Sequence, residues 1–252
     1  MISVSIVSHG HGAMIPALID QLLAFPQVGK IILTLNTLES IQLPSDSVID
    51  SRLVRISNDV PKGFGENHNA AFEHCTTPYF CVLNPDISFV ENPFPRLIEG
   101  FSNPLVGLVA PVIKGLDGKI EDSVRHFITP ISLMRRYFSS DDGSYSIVEG
   151  GGSFYPEWVA GMFMLFGAPT YKEIGGFDEG YYLYVEDVDI CTRVWLSGKS
   201  VLVIPEVAVI HDAQRASRAN LRFMRWHIGG LIRYFCKYWG RLPKVPETSP
   251  HL

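Results

Sequence analysis

The chain has 252 residues, 46% of them hydrophobic, and a net charge of −5 with a sequence pI near 5.9. That length can bury a full core as one α/β domain, and the acidic balance argues against a general nucleic-acid binder. Cys75, Cys81, Cys191 and Cys236 show no Cys-x-x-Cys spacing, so neither a zinc site nor a disulfide framework is expected and a reducing, cytoplasmic setting fits.

Residues 2–8 (ISVSIVS) read as a β-branched strand, followed by Ser8-His9-Gly10-His11-Gly12 and a helical spacing of Leu18, Leu22 and Leu23. Strand, loop and helix in this order open a parallel sheet, whose ligands bind beyond the carboxyl ends of the strands. Ser8 and His9 are therefore placed to meet a base or ribose, although an ordinary Gly-containing turn reads equally well. Residues 30–35 (KIILTL) give a second strand ending at Asn36. A third, 52–57, leads into NDVPKGFGENHNA, where Gly63 and Gly65 allow close backbone approach and a helix from near Glu66 points free N–H groups at the same place.

Residues 79–83 form a buried strand ending in Asn84-Pro85-Asp86. Asp86 there offers a hard oxygen suited to magnesium or manganese, and a simple strand-ending turn is the other reading. A short helix over 94–101 and a buried strand over 106–113 follow, with Asp117-Gly118 as a hairpin turn into 119–127. Residues 139–153 are rich in Ser, Gly and Asp and read as a mobile loop beside the site.

Residues 158–166 (WVAGMFMLF) read as a strand in which Gly161 marks close backbone approach, and Gly175-Gly176-Phe177-Asp178 follows a short helix. Glu186, Asp187 and Asp189 then open an amphipathic helix that Gly198 stops. Acids in a first turn cap the helix; here Tyr181, Tyr182 and Tyr184 precede them, a wall that excludes water and keeps a carboxylate basic. A strand over 200–204 delivers His211. No run reaches the ~18 apolar residues of a spanning helix, so membrane contact is expected to be peripheral.

From 213 to 246 there is no acid, while Arg215, Arg218, Arg222, Arg225, Arg233, Lys237, Arg241 and Lys244 are basic. Apolar residues recur there at helical spacing. Three readings stay open: a basic amphipathic helix on an anionic membrane surface, a binder of a lipid-diphosphate acceptor, or a helix that packs its apolar face on the domain. The tail, 246–252, reads as disordered.

The segment GGFDEGYYLYVEDVDICTRVWLSGKSVLVIPEVAVIH resembles the acceptor-side half of family-2 inverting glycosyltransferases of the GT-A fold, in particular bacterial rhamnosyltransferases of O-antigen and other cell-surface polysaccharides. The Gly-Phe-Gly and Asn-x-Asn string at 63–69 and the Ser123-Val124-Arg125-His126-Phe127 segment resemble further motifs of the same branch. The resemblance implies a mostly parallel α/β sheet with helices on both faces over 1–212 (a nucleotide-sugar half, 1–113, and an acceptor half, 114–212), with a helical extension over 213–252. It implies Asp187 as catalytic base, Asp86 and His211 as ligands of Mg2+ or Mn2+, and Asn36, Gly65, Asn69, Asn84 and Arg125 on the donor side. Leu35 stands where the family commonly has Asp, which leaves Asn36 or Glu39 to replace it. Trp158, Gly161, Asp178 and Glu186 fall on the acceptor side. The implied donor is dTDP-L-rhamnose and the acceptor a lipid-linked saccharide, at the inner face of the cell membrane. A UDP-sugar donor (galactofuranose or N-acetylglucosamine) and a non-catalytic saccharide- or nucleotide-binding partner are the alternatives.

Overall fold

Alternation along the strands decides the architecture. In β1 (Ile2–Ser8) the side chains of Ile2, Val4 and Ile6 face one side and Ser3 and Ser5 the other, and all five are fully buried. A strand covered on both faces is the mark of a parallel sheet between two helical layers. The computed structural model describes residues 1–42, 50–138, 143–212 and 221–246, apart from the side chains at 136 and 137.

In chain order β1 is followed by α1 (Ile15–Leu23), β2 (Val28–Leu35), β3 (Leu53–Ser57), α2 (Phe64–Phe72), β4 (Tyr79–Leu83) and β5 (Ile87–Ser88). Then come α3 (Phe94–Glu99), β6 (Val106–Gly115), β7 (Val124–Arg125), α4 (Pro130–Phe138), β8 (Trp158–Val159) and β9 (Phe163–Gly167). The last elements are α5 (Ala168–Glu173), α6 (Glu186–Leu196), β10 (Ser200–His211) and α7 (Leu221–Tyr238). Eight strands form one sheet in the order β3-β2-β1-β4-β9-β6-β10-β5. β9 runs antiparallel to both β4 and β6, and β5 antiparallel to β10; the other pairings are parallel. The carboxyl ends of six strands and the amino end of β9 therefore share one edge, where open α/β sheets bind ligands.

Each face has its own core. Ile2, Val4, Leu83 and Phe163 pack with Ile19 and Leu22 of α1 and Leu97 of α3. Phe80, Phe166 and Val203 pack on the other face with Tyr171 of α5, Ile190 of α6 and Tyr234 of α7.

Three expectations are corrected. The stretch 158–166 is two strands: Trp158–Val159 pairs with β7 in a separate two-stranded sheet, and β9 starts after Gly161 in the main one. The return arm after Asp117-Gly118 makes a bridge from Ile120 to Lys114, then leaves β6, and only Val124–Arg125 is a strand. His211 is the last residue of β10 itself, which continues past an irregularity between Ile204 and Ala208. In each case the partner across the ladder, and not local propensity, sets the boundary. Residues 139–142, Arg215 and Arg218 and the tail beyond 246 lie outside the described residues.

The C-terminal helix α7 packs on the domain through Gly230, Tyr234 and Tyr238. Its polar contacts converge on α6. Lys237 Nζ and Tyr238 OH donate to Asp189 Oδ1 at 2.7 and 2.9 Å, and Arg193 Nε donates to Oδ2 at 2.7 Å. Asp189 is wholly inaccessible to solvent, so these donors offset the cost of its desolvation. Removing one member of such a buried set leaves uncompensated charge. Asp189→Ala is expected to lower stability by about 3–5 kcal/mol in denaturant unfolding, a range taken from buried ion pairs in general.

Candidate active site

The turn before α6 is the strained point of the backbone. Tyr184 and Val185 both adopt φ of 73°, the left-handed region that a β-branched residue strongly disfavours. Packing holds them there. Val185 is buried, and Gly230 of α7 lies so close that a Cβ on it would stand 2.9 Å from the Tyr184 carbonyl oxygen. Helix α6 thus begins abruptly, with no side-chain cap at Val185 and with Glu186 and Asp187 in its first turn.

The Val188 N–H donates to Asp187 Oδ1 at 2.9 Å and the Gly161 N–H to Oδ2 at 3.3 Å. Burial pushes the Asp187 carboxyl up, these backbone hydrogen bonds pull the other way, and the result is about 6. Glu186 is driven well above its ordinary value by burial and then by the charge of Asp187, and its Oε2 is buried without a partner. With both carboxyls raised, ionisation of Asp187 disfavours that of Glu186, so the pair keeps one proton after Asp187 has ionised.

A second polar corner lies beside this one, joined through the backbone. Gly161 contacts Asp187, the next residue's carbonyl accepts from the Asn84 N–H at 2.9 Å, and Asp86 follows two residues on. His211 Nε2 lies 3.2 Å from Asp86 Oδ2, and its Nδ1 is 2.7 Å from Glu121 Oε2. Burial lowers the His211 pKa, but the hydrogen bonds to Asp86 and Glu121 outweigh it and hold the ring near 9, so it is charged at neutral pH. Asp86 Oδ1 is buried and has no partner. The uncommitted Asp86 oxygen fits a hard divalent cation, and the His211 ring could join it as a ligand only by giving up its Nε2 proton. Among the described residues no three His, Cys, Asp or Glu side chains are arranged to hold a metal by themselves. A cavity of about 240 Å³, lined by Glu121, Ser123, Ser144 and Tyr145 among others, opens next to Glu121.

On the nucleotide side Asn36 is spent on the loop: its amide donates to the Lys62 carbonyl at 2.9 Å, and its Oδ1 accepts from the Lys62 N–H and from Asn58. His9 Nδ1 is 3.2 Å from the same amide, and Ser8 is buried with its Oγ accepting from the His11 N–H. Glu39 accepts from the Gly10 N–H at 3.2 Å. These residues shape the mouth of the edge.

No family model matches the chain. It is 29% identical over 94% of its length, and 93% of the relative's, to "Rhamnosyltransferase WbbL" of Escherichia coli (strain K12). It is 26% identical to "N-acetylglucosaminyl-diphospho-decaprenol L-rhamnosyltransferase" of Mycobacterium tuberculosis over 58% of this chain, which spans about half (51%) of that relative. Among solved structures it is similar to GalNAc-T7 with UDP, GalNAc and Mn2+ (TM-score 0.62, 14% identity, 84% of this chain and 44% of that one). It is also similar to the mannosyltransferase PcManGT from Pyrobaculum calidifontis in complex with GDP-Man and Mn2+ (TM-score 0.63, 12% identity, 99% and 67%). These likenesses support a rhamnosyltransferase-like family with the GT-A fold.

In this glycosyltransferase several residues expected to touch ligand are occupied within the fold. Asn69 donates to the Phe177 carbonyl and to Glu179 and accepts from Tyr171 OH and the Phe177 N–H, so its whole amide pins the Gly-Gly-Phe-Asp turn. Asp178 accepts from Arg233 at 2.8 Å and Lys237 at 2.9 Å; burial opposes these contacts, but they hold its carboxyl well below the usual range. Arg125 is paired with Asp122, and the Trp158 indole donates to the His126 carbonyl at 2.8 Å. Asn84 reaches the edge with its backbone bonded as described. Glu121 went unread in the sequence: it lies just ahead of the Ser-x-Arg-x-Phe segment, and only the path of the chain after β6 brings it to His211.

Gly65 is likewise a packing position, since a Cβ there would lie 2.5 Å from the Phe177 Cβ. Gly65→Ala is expected to destabilise the protein by about 1–3 kcal/mol, the usual cost of overpacking. Thermal unfolding with and without nucleotide checks it; an unchanged melting temperature would refute the packing role.

Proposed function

We propose that this protein is an inverting glycosyltransferase that moves L-rhamnose from dTDP-L-rhamnose to a lipid-linked saccharide acceptor in cell-surface polysaccharide synthesis of the O-antigen type. The observation that carries the reading is Asp187, a carboxyl held near 6 at the start of α6 and joined through Gly161 to the Asp86–His211 corner. The full-length similarity to a rhamnosyltransferase supports the choice of sugar, and the decaprenol in a second relative's name supports a lipid-linked acceptor.

In this reading the Asp187 carboxylate takes the proton from the acceptor hydroxyl as that oxygen attacks the anomeric carbon from the face opposite the leaving diphosphate. A base near the working pH serves this best. Glu186, raised well above its ordinary value beside it, leaves Asp187 as the carboxyl that ionises first. The Asp86 carboxylate would hold Mg2+ or Mn2+, joined by the His211 ring once its Nε2 proton is displaced. When bound, the cation supplies charge stabilisation to the departing diphosphate. Glu121 orients His211 by accepting from Nδ1, which turns Nε2 towards Asp86. Ser8, His9 and Asn36 frame the mouth for the nucleotide. A lipid-linked acceptor requires the site to work at a bilayer surface, and the basic helix α7 is the segment suited to it.

Asp187→Asn is expected to cut turnover by about 10²–10⁴, the usual worth of a general base, with nucleotide binding retained. Because the folded protein disfavours the ionised carboxyl, the same variant is expected to be at least as stable as the parent. For the parent, turnover should rise with pH through about 6, since the active form is the carboxylate. A flat profile between pH 5 and 7 would remove Asp187 from that role.

Calorimetric titration with Mn2+ in the presence of dTDP tests the second corner. Glu121→Gln keeps the shape but weakens acceptance from His211, and is expected to lower Mn2+ affinity by about tenfold or more, as loss of outer-shell partners usually does. Stabilisation by dTDP-rhamnose above UDP-sugars supports the donor assignment; the reverse order moves it to a UDP-sugar, and no response to either favours a non-catalytic binder.

A further inference from the structure

Helix α7 turns one side into the core through Gly230, Tyr234 and Tyr238 and leaves a second apolar side open. Leu221, Met224, Ile228, Ile232 and Trp239 are exposed at spacings that keep them on one stripe, with Leu221 and Trp239 both 72% accessible. Helix α4, which sequence alone did not reveal, does the same on a smaller scale: Ile131, Met134 and Phe138 are 66%, 61% and 78% accessible at i, i+3 and i+7. The two stripes meet. An apolar groove of about 510 Å³ lies between the start of α4 and the end of α7, and Ile131 and Trp239 both line it with Phe235 and Leu242.

Charge identifies what covers this face. Residues 221–246 hold six Lys and Arg and no acid, and 130–138 hold two Arg and no acid, in a chain whose net charge is −5. Arg233 and Lys237 turn inward to Asp178 and Asp189, while Arg225, Arg241 and Lys244 have no carboxylate partner among the described residues. A second copy of the chain would bring cations against cations. Exposed aliphatic stripes bordered by Lys and Arg match a surface that is apolar inside and anionic outside.

We propose that α4 and α7 together form a docking face for an anionic lipid bilayer, both helices lying in the headgroup boundary with the groove between them filled by lipid chains. This rests on the reading of α7 as the membrane-side element and extends it to α4. Because α7 is tied to Asp189 of α6, docking would set the height of Glu186 and Asp187 above the bilayer.

Flotation of the full chain with vesicles, without nucleotide, tests the proposal. Binding to phosphatidylcholine vesicles containing phosphatidylglycerol, weak binding to phosphatidylcholine alone and loss at high salt are expected. The double variants Ile131→Glu/Met134→Glu in α4 and Ile228→Glu/Ile232→Glu in α7 change exposed side chains, and each should reduce binding about tenfold or more with melting temperature unchanged. Unchanged binding of the α4 variant would overturn the two-helix face. Failure of the parent to bind anionic vesicles would overturn docking altogether, as would a stable dimer that the α7 variant dissociates. dTDP binding measured on the same variants is independent, so loss of vesicle binding alone leaves the glycosyltransferase reading standing, and loss of dTDP binding in the parent sinks that reading alone.

Discussion

The buried carboxylate of Asp189 is the constraint on which the start of α6 depends. A fully desolvated anion is tolerable only where donors meet it, and here Arg193 comes from one turn further along α6 while Lys237 and Tyr238 come from a helix nearly fifty residues away in sequence. Those contacts lock α7 against α6. With α7 in place, Gly230 closes on the Tyr184–Val185 turn and keeps two residues in a conformation they would otherwise leave. Strain of this kind survives only where surrounding packing over-determines it, and its result is a helix start that presents Glu186 and Asp187 together.

The other half of the site is organised by the sheet. Parallel strands gather their carboxyl ends at one edge, and the segment leading into β9, which enters from that edge in the opposite direction, carries Gly161 and Met162 between the two corners. Asp187 and the Asp86–His211 corner are thus joined by a few backbone atoms instead of by long side chains.

Many polar residues at the edge face inward. Asn36, Asn58 and Asn67 bond one another and the backbone of residues 62 and 63, and Asn69 and Asp178 secure the Gly-Gly-Phe-Asp turn. Their chemistry is that of supports: they fix loops whose backbone groups and neighbouring acids remain for ligand. Residue type alone does not separate the two uses, because an amide that grips a ribose and one that grips a carbonyl look alike in sequence.

Local pattern determined a good deal. The strand cores at 2–8, 79–83 and 106–113, the helix opened by Glu186 and ended near Gly198, and the amphipathic C-terminal helix all follow from periodicity and punctuation, which depend on near neighbours. The nearness of Asp86 and His211 was legible too, since the carboxyl ends of parallel strands share an edge. What the tertiary structure alone decided is whatever depends on partners distant along the chain: the division of 158–166 between two sheets, the approach of Glu121 to His211, the commitment of Asn69 and Asp178 to packing, and the joining of α4 to α7. Hydrogen bonds and burial at these places come from residues as much as 110 positions apart, and no local propensity encodes which of them will meet.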